Sequence, residues 1–171
     1  DFENNLLWFD NNGYNPELVT TPTPRIGSTM FKAVAPAGNS NEYYSTINTL
    51  NLSGYSGKDT LKLAYNQADN YLNSIRVKFY SSDTDYLYVD FNDFTSTGES
   101  FKVADLLALA TAGTPDSTSI SKVGIQIFSK SGGNATVYLD GLRINDEDTF
   151  DPRFGMIARS VLTSPLTKLA G

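Results

Sequence analysis

Apolar and polar residues alternate with a period of two along much of the chain. Ile75, Val77 and Phe79 fall on one side of a run whose other side holds Arg76, Lys78 and Tyr80. Val123, Ile125 and Ile127 oppose Gly124, Gln126 and Phe128 in the same way, and Val137, Leu139 and Gly141 alternate with Tyr138, Asp140 and Leu142. One apolar side facing one polar side is the pattern of a half-buried antiparallel strand. Read along the sequence, it predicts strands over 28–35, 43–52, 60–66, 73–81, 86–92, 100–103, 120–129 and 135–145. Turn formers separate them: the stretch 53–59, a hairpin tip at Ser82-Asp83-Thr84-Asp85, and a second hairpin loop at Lys130-Ser131-Gly132-Gly133-Asn134. Pro16, Pro22 and Pro24 make 15–27 a loop. Only 104–112 reads as helix, with Val103, Leu106, Leu107 and Leu109 placed to pack over one end of the sheets. The expected fold is all-β, a sandwich of two antiparallel sheets with one short helix.

Past Asn145 the pattern is lost. Asp146, Glu147 and Asp148 are acidic, Pro152 interrupts the chain, and 154–169 is apolar and basic without a clean period. Two parts follow: a sandwich over 1–147 and an extended C-terminal arm over 148–171. Phe154, Met156, Ile157, Arg159, Val161 and Leu162 are the arm's candidate docking residues. They are too apolar for an ordinary disordered tail and need something to lie on, either the chain's own domain or, as expected here, a neighbouring subunit. Arg153, Arg159 and Lys168 also make the arm basic beside an acidic body.

Composition narrows the chemistry. The chain has 171 residues, 19 acids against 13 bases, a net charge of −6, no Cys and no His. Such a chain repels phosphate backbones and anionic lipid, so neither nucleic acid nor membrane is expected as a partner. Without Cys or His, nucleophile–imidazole catalysis and thiolate metal sites are excluded. The chain opens at Asp1 and ends on Gly171, so a processed chain or a piece of something longer is expected.

The block from Ile120-Ser121-Lys122-Val123-Gly124-Ile125-Gln126-Ile127 to Ala135-Thr136-Val137-Tyr138-Leu139-Asp140-Gly141-Leu142-Arg143-Ile144 resembles the last two strands of carbohydrate-binding-module jelly rolls, in the galactose-binding-like and concanavalin-like sandwich families. The opening Asp1-Phe2-Glu3 fits loosely. The resemblance covers 1–145 and implies a two-sheet antiparallel jelly roll. It also implies a structural Ca²⁺ tying the first strand to the last through Glu3 and Asp140, a chemistry of oxygen ligands alone. The other reading has Asp140 accept hydrogen bonds from nearby backbone or Arg143. No other cofactor is required. The segment from Asp148 to Leu162 resembles stretches that follow such jelly rolls in virion proteins of tailed bacteriophages.

A sugar ring stacks its C–H face on an aromatic ring, while Asn, Asp and Arg bond its hydroxyls. Tyr86 and Tyr88 share a strand face with Asp90, and Tyr80 lies on the neighbouring strand, so these four are the candidate glycan contacts. A row of tyrosines also serves as plain sheet covering or a subunit interface. The acids Asp83, Asp85, Asp90, Asp93 and Glu99 cluster in sequence, but Asp83 and Asp85 fall on an exposed turn where a carboxyl is not tuned for proton transfer. No catalytic residue is assigned and the chain is expected not to be an enzyme. The resemblances yield two functional expectations. One is a virion structural protein from a phage tail or capsid exterior, homo-oligomeric, touching other virion subunits and a host glycan. The alternative is a secreted, extracellular carbohydrate-binding module of a polysaccharide-degrading enzyme.

Overall fold

The computed structural model describes residues 9–10, 13–15, 17–22, 29–55, 59–94, 98–105, 109–144, 148–151 and 155–157, with backbone alone for 98–105, 144, 148–151 and 155–157. Thirteen strands appear among them: β1 (Phe9–Asp10), β2 (Glu17–Val19), β3 (Met30–Ala35), β4 (Ser40–Leu50), β5 (Thr60–Gln67), β6 (Leu72–Tyr80), β7 (Tyr86–Phe91), β8 (Gly98–Asp105), β9 (Ala110–Ala112), β10 (Ile120–Ser129), β11 (Ala135–Ile144), β12 (Asp148–Asp151) and β13 (Gly155–Ile157). They form two antiparallel sheets. The first runs β1-β4-β10-β6-β7-β9. In the second, β8 pairs β5, and β5 pairs one edge of β11. Along the other edge of β11 lie β3, then β2, at one end, and β12, then β13, at the other. The sandwich read from the alternation is therefore present.

Its core is where the period of two puts it. Ile75, Val77 and Phe79 of β6 and Val123, Ile125 and Ile127 of β10 face Phe31, Ala33, Leu61, Leu63, Val137 and Leu139 of the second sheet, all of them buried. Each fully buried side chain of this kind stabilises the fold by roughly 1.5–3 kcal/mol before ordering costs. Tyr43 of β4 crosses the interior. Its hydroxyl donates to the Val34 carbonyl at 3.1 Å and accepts from the Val34 amide at 2.9 Å, so the one polar group of a fully buried ring is satisfied on the opposite sheet. Phe31 packs edge-on against the same ring, centroids 5.2 Å apart.

Three sequence expectations need correction. No helix spans 104–112: Ala104 and Asp105 end β8, and 110–112 is β9. β8 pairs β5 without a break from Gly98↔Gln67 to Asp105↔Thr60, and this long-range pairing overrides the local helical pattern. The loop 130–134 is no hairpin, because β10 lies in the first sheet and β11 in the second. It is a corner, tightened where Gly132 and Gly133 lie under the Tyr71 ring, which leaves no room for a Cβ at Gly133. The alternation of β11 shifts at Gly141. This residue has φ +59°, the register jumps between Asp140 and Leu142, and Leu142 turns into the core. One inserted residue in a bulge re-aims all that follow it.

Of the arm expected over 148–171, the structure describes 148–151 and 155–157. The backbone of 148–151 pairs β11 (Arg143↔Thr149, Ile144↔Asp148), and 155–157 pairs 148–151 in turn. The sheet thus continues past 147 through two short strands. Pairing of β3 with β11 stops at Leu139, which leaves the far half of that edge open, and β12 pairs its last two residues. Met156 and Ile157 lie on β13. Phe154, Arg159, Val161 and Leu162 lie outside the described residues.

Candidate functional site

The polar side of the first sheet is a lattice built by strand register. Tyr44, Gly124, Lys78 and Tyr88 form one row across β4, β10, β6 and β7. Thr46, Lys122, Tyr80 and Tyr86 form the next, and Glu42, Gln126, Arg76 and Asp90 flank the first row on its other side. Because successive side chains alternate between faces, every residue in these rows points away from the core.

Gly124 sits at the centre, and its lack of a side chain shapes the site. A Cβ there would collide with Glu42 Oε1 and press on the Tyr80 ring. Through this gap Glu42 of β4 reaches over β10 to β6. Its Oε2 accepts from Lys78 Nζ at 2.7 Å, and its Oε1 accepts a short hydrogen bond from the Tyr80 hydroxyl. All three residues are buried or nearly so, at 9%, 6% and 6% exposure. Burial, and then the adjacent Glu42 carboxylate, push the Tyr80 phenol far above its ordinary pKa, so it remains a donor.

Two further ion pairs flank this floor. Arg76 makes a bidentate contact to Asp90, at 2.6 and 2.7 Å, and its guanidinium lies 4.2 Å from the centre of the Tyr88 ring. The same bond raises the Arg76 pKa. Lys122 bonds Asp83 at 2.7 Å and rests over the rings of Tyr80 and Tyr44, at 4.3 and 5.4 Å. That bond holds the exposed Asp83 carboxyl below its usual range. The rings of Tyr80 and Tyr86 stand 4.9 Å apart, and those of Tyr86 and Tyr88 5.8 Å. Glu42, Tyr44, Thr46, Lys78, Tyr80, Asp83, Tyr86 and Lys122 enclose an open pocket of about 590 Å³.

The four glycan contacts expected from sequence, Tyr80, Tyr86, Tyr88 and Asp90, therefore share one face. Tyr80 forms floor more than platform, while Tyr86 and Tyr88 remain partly exposed. Sequence reasoning missed Glu42, Arg76, Lys78 and Lys122 as members of the site. The signal lay in β4, where Glu42, Tyr44 and Thr46 alternate with Tyr43, Ser45 and Ile47. Asp83 and Asp85 do sit on the β6–β7 turn. Asp83 is held in its charged form by Lys122, and Asp85 is occupied by Ser82 and by the Thr114 amide, so neither is suited to deliver a proton.

For calcium, Glu3 lies outside the described residues, and Asp140 is buried on β11 beside the Gly141 bulge. Among the described residues no three acidic side chains converge, and one carboxylate falls well short of the six to eight oxygens Ca²⁺ takes. The described part does not by itself assemble a calcium site.

No protein-family model matches the sequence, and no curated protein matches it either. Solved structures do match in shape. The family 11 carbohydrate-binding module from Clostridium thermocellum, in complex with a β-1,3-1,4-mixed-linked tetrasaccharide, aligns over 83% of this chain and 93% of its own at TM-score 0.56 and 12% identity. The fold is the jelly roll found in carbohydrate-binding modules. The agarase AgWH50C aligns over 85% of this jelly roll at TM-score 0.60 and 10% identity, and the chain spans 25% of the agarase's length. At such identity the likeness establishes the fold alone. A bacteriophage CBA120 tailspike aligns at TM-score 0.47, with 14% identity over 81% of this chain and 19% of its own, too low to support a virion role.

Proposed function

We propose that this domain is a non-catalytic glycan-binding module and that the polar face of β4, β10, β6 and β7 is its binding surface. The observation behind the reading is the lattice itself. Partly exposed Tyr44 and Tyr86 line a pocket floored by a carboxylate, an ammonium and a phenol, and the Tyr88 ring stands beside Tyr86, so ring faces and hydrogen-bonding groups occupy the same small area. Sugars present the same mixture of C–H faces and hydroxyls, and the pocket falls within the ordinary range for small-ligand sites. The jelly-roll likeness to carbohydrate-binding modules supports the reading over a virion role. The natural setting is then extracellular, with the module attached to a polysaccharide-degrading enzyme and delivering it to its substrate.

Affinity electrophoresis tests this with soluble mixed-linkage β-glucan, agarose, hydroxyethylcellulose, xyloglucan and galactomannan. At least one is expected to retard the domain. Tyr88→Ala, which removes a partly exposed ring without opening the core, is expected to weaken that binding about tenfold, or about 1.4 kcal/mol. Retardation undiminished in both Tyr86→Ala and Tyr88→Ala would place the ligand elsewhere.

A further inference from the structure

Among the described residues, every cation on the binding face is already closed by a carboxylate of its own. Arg76 is held by Asp90, Lys78 by Glu42 and Lys122 by Asp83, at 2.6–2.7 Å in each case. The six charges cancel, on a chain whose net charge is −6. An anionic sugar would have to displace a carboxylate at hydrogen-bond distance or share its cation against repulsion. The Lys78–Glu42 pair is buried, and opening it would leave two uncompensated charges in a poorly solvated floor. An uncharged sugar needs no such exchange. Each Glu42 oxygen accepts one bond and keeps a second lone pair, and the Lys78 ammonium has three hydrogens, of which Glu42 takes one. Acceptor and donor stand side by side, with the Glu42 carboxylate lying over Gly124. One hydroxyl can donate to Glu42 while its neighbour accepts from Lys78.

We propose that the site selects uncharged saccharides, holding one vicinal hydroxyl pair between Glu42 and Lys78, and discriminates against uronates and sulfated sugars. The proposal rests on the glycan-binding reading above. The test sets the neutral polysaccharides named there against polygalacturonate, alginate, carrageenan and carboxymethylcellulose, at low and high salt. Binding is expected for a neutral member only, with less than about a twofold change in Kd between the salts, since screening weakens only interactions between net charges. Asp83→Asn, altering an acid whose side chain is 94% exposed, leaves Lys122 unpaired and is expected to create salt-sensitive binding to polygalacturonate. Gly124→Ala puts a methyl group against Glu42 and is expected to weaken neutral binding at least tenfold. Its melting temperature, measured alongside, separates lost binding from lost fold. Tighter binding of an anionic than a neutral polymer by the unaltered domain overturns the inference and leaves the glycan-binding reading standing. So does a folded Gly124→Ala that binds at full strength. Failure to bind any member of either set removes both.

Discussion

Tyr43 and Tyr80 lie on opposite faces of the first sheet, and burial raises the pKa of both phenols. For Tyr80 the neighbouring Glu42 carboxylate adds to the effect. A group whose folded pKa is raised contributes stability that is complete below its unfolded value, about pH 10 for tyrosine, and that is lost as pH rises through the folded value. The domain should therefore weaken above about pH 10, when unfolding lets these phenols ionise. An ultraviolet difference titration between the unaltered domain and Tyr80→Phe isolates one of them. Its phenol is expected to ionise well above the ordinary range, or only together with unfolding. A normal titration near pH 10 would mean that Tyr80 does not hold Glu42. The tyrosine row was legible from sequence because Tyr80, Tyr86 and Tyr88 follow the period of two. The Glu42–Lys78 pair was not, because it joins strands that are not neighbours, across a glycine whose vacancy only the register reveals.

At the level of elements, sequence pattern placed most strands within a few residues, since the half-buried face imposes its period directly. It failed where long-range pairing or an inserted residue decides. Val103, Leu106, Leu107 and Leu109 suggested a helix, yet the edge of β5 draws 98–105 into a strand. The alternation of β11 was read straight through Gly141, whose positive φ breaks it. This bulge is testable. Gly141→Ala puts a side chain into the left-handed region, which costs about 1–2 kcal/mol, and it also strains the turn that directs Leu142 inward. A matching fall in stability is expected from urea denaturation. An unchanged midpoint would show that the bulge is not fixed by this residue.

For the whole molecule, the all-β class and the two-sheet sandwich were legible, but the connections were not. Loops of small polar residues look alike whether they close a hairpin, as between β6 and β7, or carry the chain to the other sheet, as between β10 and β11. The two short strands of the C-terminal segment were not legible for a related reason. The segment's apolar residues show no period, and the open edge of β11 that recruits β12 exists only once the second sheet is built. The functional reading depends on the two faces of the first sheet having separate tasks, one closing the core and the other meeting a sugar. Backbone amide shift mapping tests this most directly. The ¹⁵N-labelled domain is titrated with oligosaccharides of whichever polysaccharide retards it most. The expected result is perturbation concentrated on β4, β6, β7 and β10 around Tyr44, Lys78, Tyr88 and Gly124. Perturbation confined to the second sheet or to the loops at the ends of the sandwich would contradict it.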